Sequence, residues 1–338
     1  MKITTDMSTN SITALMKTRF EDGVCTIHLP NSLTVNEAVG FQQLCQQLFN
    51  DHSDLKKLVL DFGKTTFLDS SGLGSLVICR RFCEKHQTQL QLQQVGQQVM
   101  LVLKMTDLDK VFEITEKSPG EASAPDRPSD CKVISTHPSV NSAAKRMVDI
   151  LGGLVGLAVT GLLLIPIAIA IYIDDPGPIF FSQIRCSWMG RRFRIWKFRS
   201  MVVNAEDLKH QVENEVEGPL FKNARDPRVT RVGRFLRKTS LDEFPQFWNV
   251  LKGDMSLVGT RPPTPAEIEE YELPAWQRLN VKPGLTGEWQ VNGRSSIKKF
   301  EDVVRLDMRY QENWSLLYDL KLIVKTVLVL FTKKSGAA

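Results

Sequence analysis

The chain has 338 residues, a formal charge of +5, and six cysteines and five histidines spread along it. That length fits two or three domains. With no recognisable binding module, the modest charge argues against a nucleic-acid partner. The scattered Cys and His carry no zinc spacing. Cys25, Cys45, Cys79, Cys83, Cys131 and Cys186 form no CxxC pair and read as reduced cytosolic thiols. MKITTDMSTNS at the start has no apolar centre, so no secretory signal is expected. Charge is unevenly distributed: Arg185 to Lys238 is rich in Arg and Lys, which fits an anionic partner such as phosphate or lipid headgroups.

In chain order, VCTIHL and KLVLDF predict strands and EAVGFQQLCQQLF, with apolar residues at helical spacing, predicts a helix. KTTFLDSSGLGSLVICRRFCEKH places Asp69 and Ser70 at a turn and a helix after them. LQLQQV then predicts a strand and VMLVLKMTDL a helix. Alternating strands and helices over residues 1–114 predict a small α/β domain, a sheet covered by helices. By itself, Asp69-Ser70 reads as a helix cap. Residues 115–140, rich in Pro, Ser, Gly and charge, predict a flexible linker, and hence little coupling between the parts it joins.

ILGGLVGLAVTGLLLIPIAIAIYI, about residues 150–173, carries no charge and is long enough to cross a bilayer. Lys145 and Arg146 precede it as a basic flank, and Asp174 and Asp175 follow. Pro166 removes a helix hydrogen bond within it. Both flanking regions look cytosolic, so the segment is expected to re-enter the leaflet it left rather than span. In the tail, DLKLIVKTVLVLFTKK is too short to span and reads as an interfacial helix, with Lys321, Lys325, Lys333 and Lys334 near headgroups, the alternative being a core-packing helix with an exposed basic face.

TSLDEFPQFWNVLKGDMSLVGTRPP sets Asp242 beside Glu243 in an apolar stretch. Pro245 requires a helix to begin close to Leu241 or Asp242. Ser240 with Glu243 could be a capping box. Neighbours on a helix point about 100° apart, so the two carboxylates suit different tasks. One can attack phosphorus, and the other can hold Mg²⁺, a hard cation that prefers oxygen. Arg237 and Arg261 can each fork onto phosphate oxygens. Pro262 and Pro263 stiffen the turn behind Arg261. Lys197 and Arg199, in WKFRSM, suit either phosphate contacts or structural pairing. Arg225, Arg228, Arg231 and Arg234 recur every third residue, as a basic ridge would.

FLDSSGLGSLV and TDLDKVFEI resemble the STAS domain of anti-sigma-factor antagonists. That resemblance implies that Ser70 can be phosphorylated and that the domain meets a protein partner. From about Lys145 to the end, DDPGPIFFSQIR, GRRFRIWKFRSM, FKNARDPRVTRVGRFLRKTSLDEFPQFWNVLKGDMSLVGTRPP, RLNVKPGLTGEWQVNGR and RLDMRYQENWSLLYDLKLIVKTV together resemble the bacterial sugar transferases, the monotopic phosphoglycosyl transferases. The resemblance implies a mostly α membrane-associated domain over residues 141–338 with a re-entrant helix. It further implies Mg²⁺, a UDP-sugar donor and a polyprenyl phosphate acceptor, with UMP released through a covalent phosphosugar. Asp242 is then the nucleophile, Glu243 the metal-associated carboxylate, and Arg237 and Arg261 the phosphate-binding arginines. Arg294, in VNGR, is a further substrate contact. Thr260 stands where the family commonly has proline. The location implied is the bacterial inner membrane, with both soluble parts in the cytoplasm; the oligomeric state, homo-oligomer included, stays open. The competing readings are a membrane-tethered STAS interaction protein with a degenerate transferase part, and an ordinary glycosyltransferase releasing UDP.

Overall fold

The computed structural model describes residues 16–52, 54–116, 137–215, 218–219, 221, 223, 225–292 and 299–331. Most of the expected linker, the N-terminal MKITTDMSTNS, Cys131, Arg294, Lys333 and Lys334 lie outside the described residues. The chain forms two compact units. Among the described residues, one gathers those from 16 to 116 with Met189–Arg191 and Tyr271–Asn280; the other holds His137–Trp188 and the described residues of 192–270 and 281–331.

The first unit is built on a sheet in the order β1 (Lys17–Glu21), β2 (Val24–His28), β4 (Lys57–Asp61), β6 (Gln89–Val95), β7 (Glu113–Glu116). β3 (Ser32–Leu33) and β5 (Phe67–Leu68) pair separately. Asp22 and Gly23, both at positive φ, turn β1 back antiparallel onto β2, the Asp-Gly chemistry a tight hairpin needs. The pairs β2–β4, β4–β6 and β6–β7 are parallel and need crossovers. Helices α1 (Val35–Asp51), α2 (Ser70–Lys85) and α3 (Gln97–Met105) supply them. Cys25, Ile27, Leu58, Leu60 and Leu92 fill the core. Asp69 caps α2 by accepting from Gly72 N at 2.8 Å, as the sequence led one to expect, and Ser70 is the first helical residue. The five described cysteines are free and buried. Burial pushes the Cys25 thiol up to about 11 and Cys186 up to about 12, so both stay protonated and inert.

In the second unit the long apolar segment is one helix, α4 (Ala143–Asp174), with Pro166 inside it. It starts seven residues before the apolar run, because Ser142 caps it at Lys145 N and because Lys145 and Asp149 find buried partners. Its buried stripe is small and polar: Lys145, Asp149, Gly153, Gly156 and Thr160, followed by Ile167 and Ile171. Leu151, Val155, Leu162, Ile165, Ile169 and Ile173 are exposed. Water-soluble core helices show the opposite distribution. A helix that turns its large apolar side chains outward is suited to lipid.

Further elements of this unit include the antiparallel hairpin β8 (Phe180–Cys186) and β9 (Arg192–Phe198), α5 (Arg231–Thr239), α6 (Phe247–Lys252), the parallel pair β10 (Ser256–Val258) and β11 (Gly284–Thr286), α7 (Phe300–Glu312) and α8 (Leu316–Phe331). Both ends of α4 are tied into this unit. Near its start, Lys145 Nζ donates to Asp319 Oδ2 at 2.6 Å and to Val258 O at 2.9 Å. At its end, Asp174 Oδ2 accepts from Val232 N at 2.8 Å, and Asp175 pairs with Arg199. On α8, Leu317, Leu320, Val324, Val327 and Leu328 are exposed alongside Lys321 and Lys325, the mixed apolar and basic face expected of an interfacial helix.

Candidate active site

The helix expected at the acid pair is a 3₁₀ turn, Leu241–Gln246, that runs into α6. Ser240 separates it from α5 in the left-handed region, φ 56°. With three residues per turn, Leu241 and Phe244 share a face. Both pack against the cluster of Ile167, Ile171, Phe198 and Leu236, anchoring the turn to α4. Thr160 Oγ1 adds a hydrogen bond to Phe244 O at 3.3 Å. The carboxylates therefore leave on the other two faces. Asp242 is buried, while Glu243 is half-buried and pairs with Lys197 Nζ at 2.8 Å. The capping box does not form, since the Ser240 side chain makes no cap.

Arg237, in the last turn of α5, lies beside the acid pair. Burial pulls its guanidinium below the ordinary arginine range, and Asp242, with Asp226 and Glu243, draws it back up. Its Nε donates to Ser200 Oγ at 3.0 Å. α5 sits close to that serine because residue 233 is glycine: a Cβ there would lie 1.9 Å from Ser200 O. On the far side, Asn249 is fully buried; its Nδ2 donates to Arg194 O at 2.7 Å and its Oδ1 accepts from Trp196 N at 3.2 Å. This ties α6 to β9, the strand that carries Lys197. Asp242, Glu243, Arg237 and Lys197 thus form one cluster of alternating charge on well-supported backbone.

Other candidates take different places. Arg261 forks onto Glu267, at 2.6 and 3.1 Å, and Arg185 lies 3.8 Å from the same carboxylate. Arg199 is buried and donates to Pro178 O at 2.6 Å and to Asp175, which makes it a latch on the turn that follows α4. Lys145 and Arg146 do not form a lipid-facing flank. Lys145 is buried in its pair with Asp319, and Arg146 donates to Val250 O and Leu251 O at 2.8 and 2.6 Å, satisfying the C-terminal carbonyls of α6. The even basic ridge is also corrected: Arg228 is buried against Asp226 at 2.7 Å, while Arg225, Arg231 and Arg234 are exposed. Ser200, Gly233, Asn249 and Glu267 were not singled out from sequence. The only signal for Asn249 is a lone amide inside the apolar run FWNVL.

A magnesium ion is compatible with this donor set. Mg²⁺ takes one or two carboxylates and completes its shell with water and substrate phosphate, so no cluster of three acids is needed. Among the described residues none occurs.

Residues 16–122 match the STAS domain and residues 140–333 match the bacterial sugar transferase family. The galactosyl transferase CpsE of Streptococcus agalactiae serotype III is 50% identical over 188 residues, 55% of this chain and 42% of that protein. The UDP-glucose:undecaprenyl-phosphate glucose-1-phosphate transferase of Escherichia coli K12 is 40% identical over 204 residues, 58% of this chain and 42% of that protein. The chain therefore spans about two fifths of the length of these relatives. The solved anti-sigma factor antagonist SpoIIAA aligns with 31% of this chain and 91% of its own at 14% identity, with a TM-score of 0.26. The transferase match covers more than half of the chain, which accordingly belongs to the bacterial sugar transferase family and carries a STAS domain ahead of its transferase part.

Proposed function

We propose that the protein transfers a sugar 1-phosphate from a UDP-sugar to polyprenyl phosphate, undecaprenyl phosphate in the setting of its relatives, and releases UMP, the first step of a polysaccharide or glycoconjugate. The observation that carries this reading is the buried Asp242 beside the half-buried Arg237, on a turn packed against a lipid-suited helix. A carboxylate oxygen of Asp242 attacks the phosphorus that bears the sugar. An aspartyl–phosphorus bond forms, the bond to the bridging diphosphate oxygen breaks, and UMP leaves with that oxygen. A polyprenyl phosphate oxygen then attacks the same phosphorus and frees Asp242. Arg237 and Lys197 supply positive charge for the phosphates, and Arg261, held by Glu267, is read as a further phosphate contact. Glu243, with Asp242 adjacent, would hold Mg²⁺, which when bound reduces repulsion between the acids and the diphosphate.

The long helix is read as re-entrant. At 32 residues it is about 48 Å long, more than the roughly 30 Å of a hydrocarbon core. A straight crossing would put Lys145 and Asp174 on opposite sides of the bilayer, yet one compact unit holds both. The bend belongs at Pro166, and both soluble parts then face the cytoplasm at the inner membrane. A panel of UDP-sugars, offered with polyprenyl phosphate and Mg²⁺ to the purified chain, tests the reaction. UMP as the nucleotide product supports it. UDP would instead mean direct glycosyl transfer, and no nucleotide release from any donor would mean a degenerate transferase part.

A further inference from the structure

Two runs that follow α4 in sequence belong to the STAS unit, Met189–Arg191 and Tyr271–Asn280. The second lies against α2 as a bound peptide would. Trp276 is buried over Gly74, where a Cβ would come within 2.3 Å of the indole. Leu273 joins Ala38 and Ile78 in one apolar cluster. Arg81 Nη2 donates to Tyr271 O at 2.9 Å, and Ser70 Oγ donates to Asn280 Oδ1 at 2.6 Å. Arg278, fully buried, donates to Tyr271 OH at 2.6 Å within the segment. Met189, at the hairpin tip between β8 and β9, is buried in the same unit.

These contacts run against the little coupling expected from the linker. Tyr271 follows directly on the short helix Pro265–Glu269 and Glu270, and that helix carries the Glu267 that forks Arg261. Asn280 directly precedes Val281, which is packed against Val258 of β10. We propose that the STAS surface around Ser70, Gly74 and Arg81 is a binding site for the chain's own segment Tyr271–Asn280, and that its occupancy sets the Arg261–Glu267 pair. The STAS domain is then an internal positioning element of the transferase. Ser70 is fully buried under this segment. A phosphoryl group there adds nearly two negative charges and the bulk of three oxygens, so phosphorylation and occupancy exclude one another. The effect on turnover rests on the proposed transferase reading, whereas the docking itself does not.

Amide exchange and UMP release, measured on the full chain in lipid nanodiscs, test this. Gly74→Ala adds a methyl into the indole, and Trp276→Leu shrinks the anchor while leaving the sheet and α2 unaltered. Each is expected to speed exchange of residues 271–280 at least tenfold, to leave β2 and β4 unchanged and to lower kcat/KM at least fivefold. Gly74→Ala with Trp276→Leu, in which the smaller side chain leaves room for the methyl, recovers part of both losses. Ser70→Asp shifts both readouts in the same direction as Gly74→Ala. Unchanged exchange of 271–280 in both single variants overturns the binding site. Faster exchange with unchanged kcat/KM overturns the positioning role. A wild-type chain that releases no UMP from any donor refutes the transferase reading, and the exchange result still decides the docking.

Discussion

Lys145 and Asp319 give the most quantitative prediction. The ammonium and carboxylate are 2.6 Å apart, with side chains 7% and 2% exposed. Removing one partner of a buried pair typically costs about 3–5 kcal/mol, because the other charge stays buried. The two sides are not equivalent. Without Lys145, Asp319 keeps the Tyr310 hydroxyl at 2.9 Å and the Trp314 indole N–H at 3.1 Å. Without Asp319, Lys145 keeps hydrogen bonds to the neutral Val258 O at 2.9 Å and Tyr310 OH at 3.3 Å, and the charge of Asp149 one turn along the helix. Lys145→Met is therefore expected at the low end, about 3 kcal/mol, and Asp319→Leu at about 4–5 kcal/mol. The double variant removes both partners of the pair; the buried Asp149 still accepts from Ser256 Oγ and Leu257 N, both at 2.8 Å, and Val258 O still accepts from Tyr310 OH at 3.1 Å. It should fall within about 1–2 kcal/mol of wild type. For a unit of this size, about 3 kcal/mol lowers the thermal midpoint by about 6–12 °C. Thermal unfolding of the detergent-solubilised protein, followed by the loss of monodisperse protein, reads this out. Additive losses in the double variant, or a smaller loss for Asp319→Leu than for Lys145→Met, would show that the cost does not come from a charge left buried without its partner.

Three further outcomes are expected. Glu243→Gln removes the charge that pairs Lys197 at 2.8 Å and should lower turnover roughly ten- to a hundredfold while flattening the magnesium dependence; an unaltered magnesium response would place the metal elsewhere. Gly233→Ala drives a methyl into Ser200 O and should destabilise the second unit by about 1–3 kcal/mol with a loss of UMP release; full activity would show that the Arg237–Ser200 contact is dispensable. Cysteines at the exposed Asn141 and Pro176, one on each side of α4, should react with an impermeant maleimide only from the cytoplasmic face of sealed vesicles. Labelling from opposite faces would establish a straight span.

Elements with strong local signals were legible in the sequence. β4 was set by an apolar run between charges, α2 by the Asp69 cap, and the existence of α4 by its length. The buried stripe of α4 was not, because a segment apolar all round carries no phase; Lys145, Asp149 and Thr160 reveal it only through partners about a hundred residues away. The arginines show the same difficulty. Arg199 and Arg237 look alike in a basic stretch, and only the positions of Asp175 and Asp242 separate the latch from the site. Pro245 correctly marked a helical start at the acid pair, but the 3₁₀ pitch that turns Leu241 and Phe244 together towards α4 depends on tertiary packing. Trp276 and Leu273 read as ordinary core residues, and nothing local indicates that their core is the STAS unit.

The central claim, a covalent phosphosugar on Asp242, is open to one direct measurement: intact-mass and peptide mapping of the purified chain incubated with its UDP-sugar and Mg²⁺ but no polyprenyl phosphate. The expected result is UMP in an amount matching the enzyme and a sugar-phosphate adduct on the peptide containing Asp242, both absent from Asp242→Asn. Asp242→Asn that turns over at a wild-type rate with acceptor present, and no adduct on wild-type protein during UMP release, would contradict it.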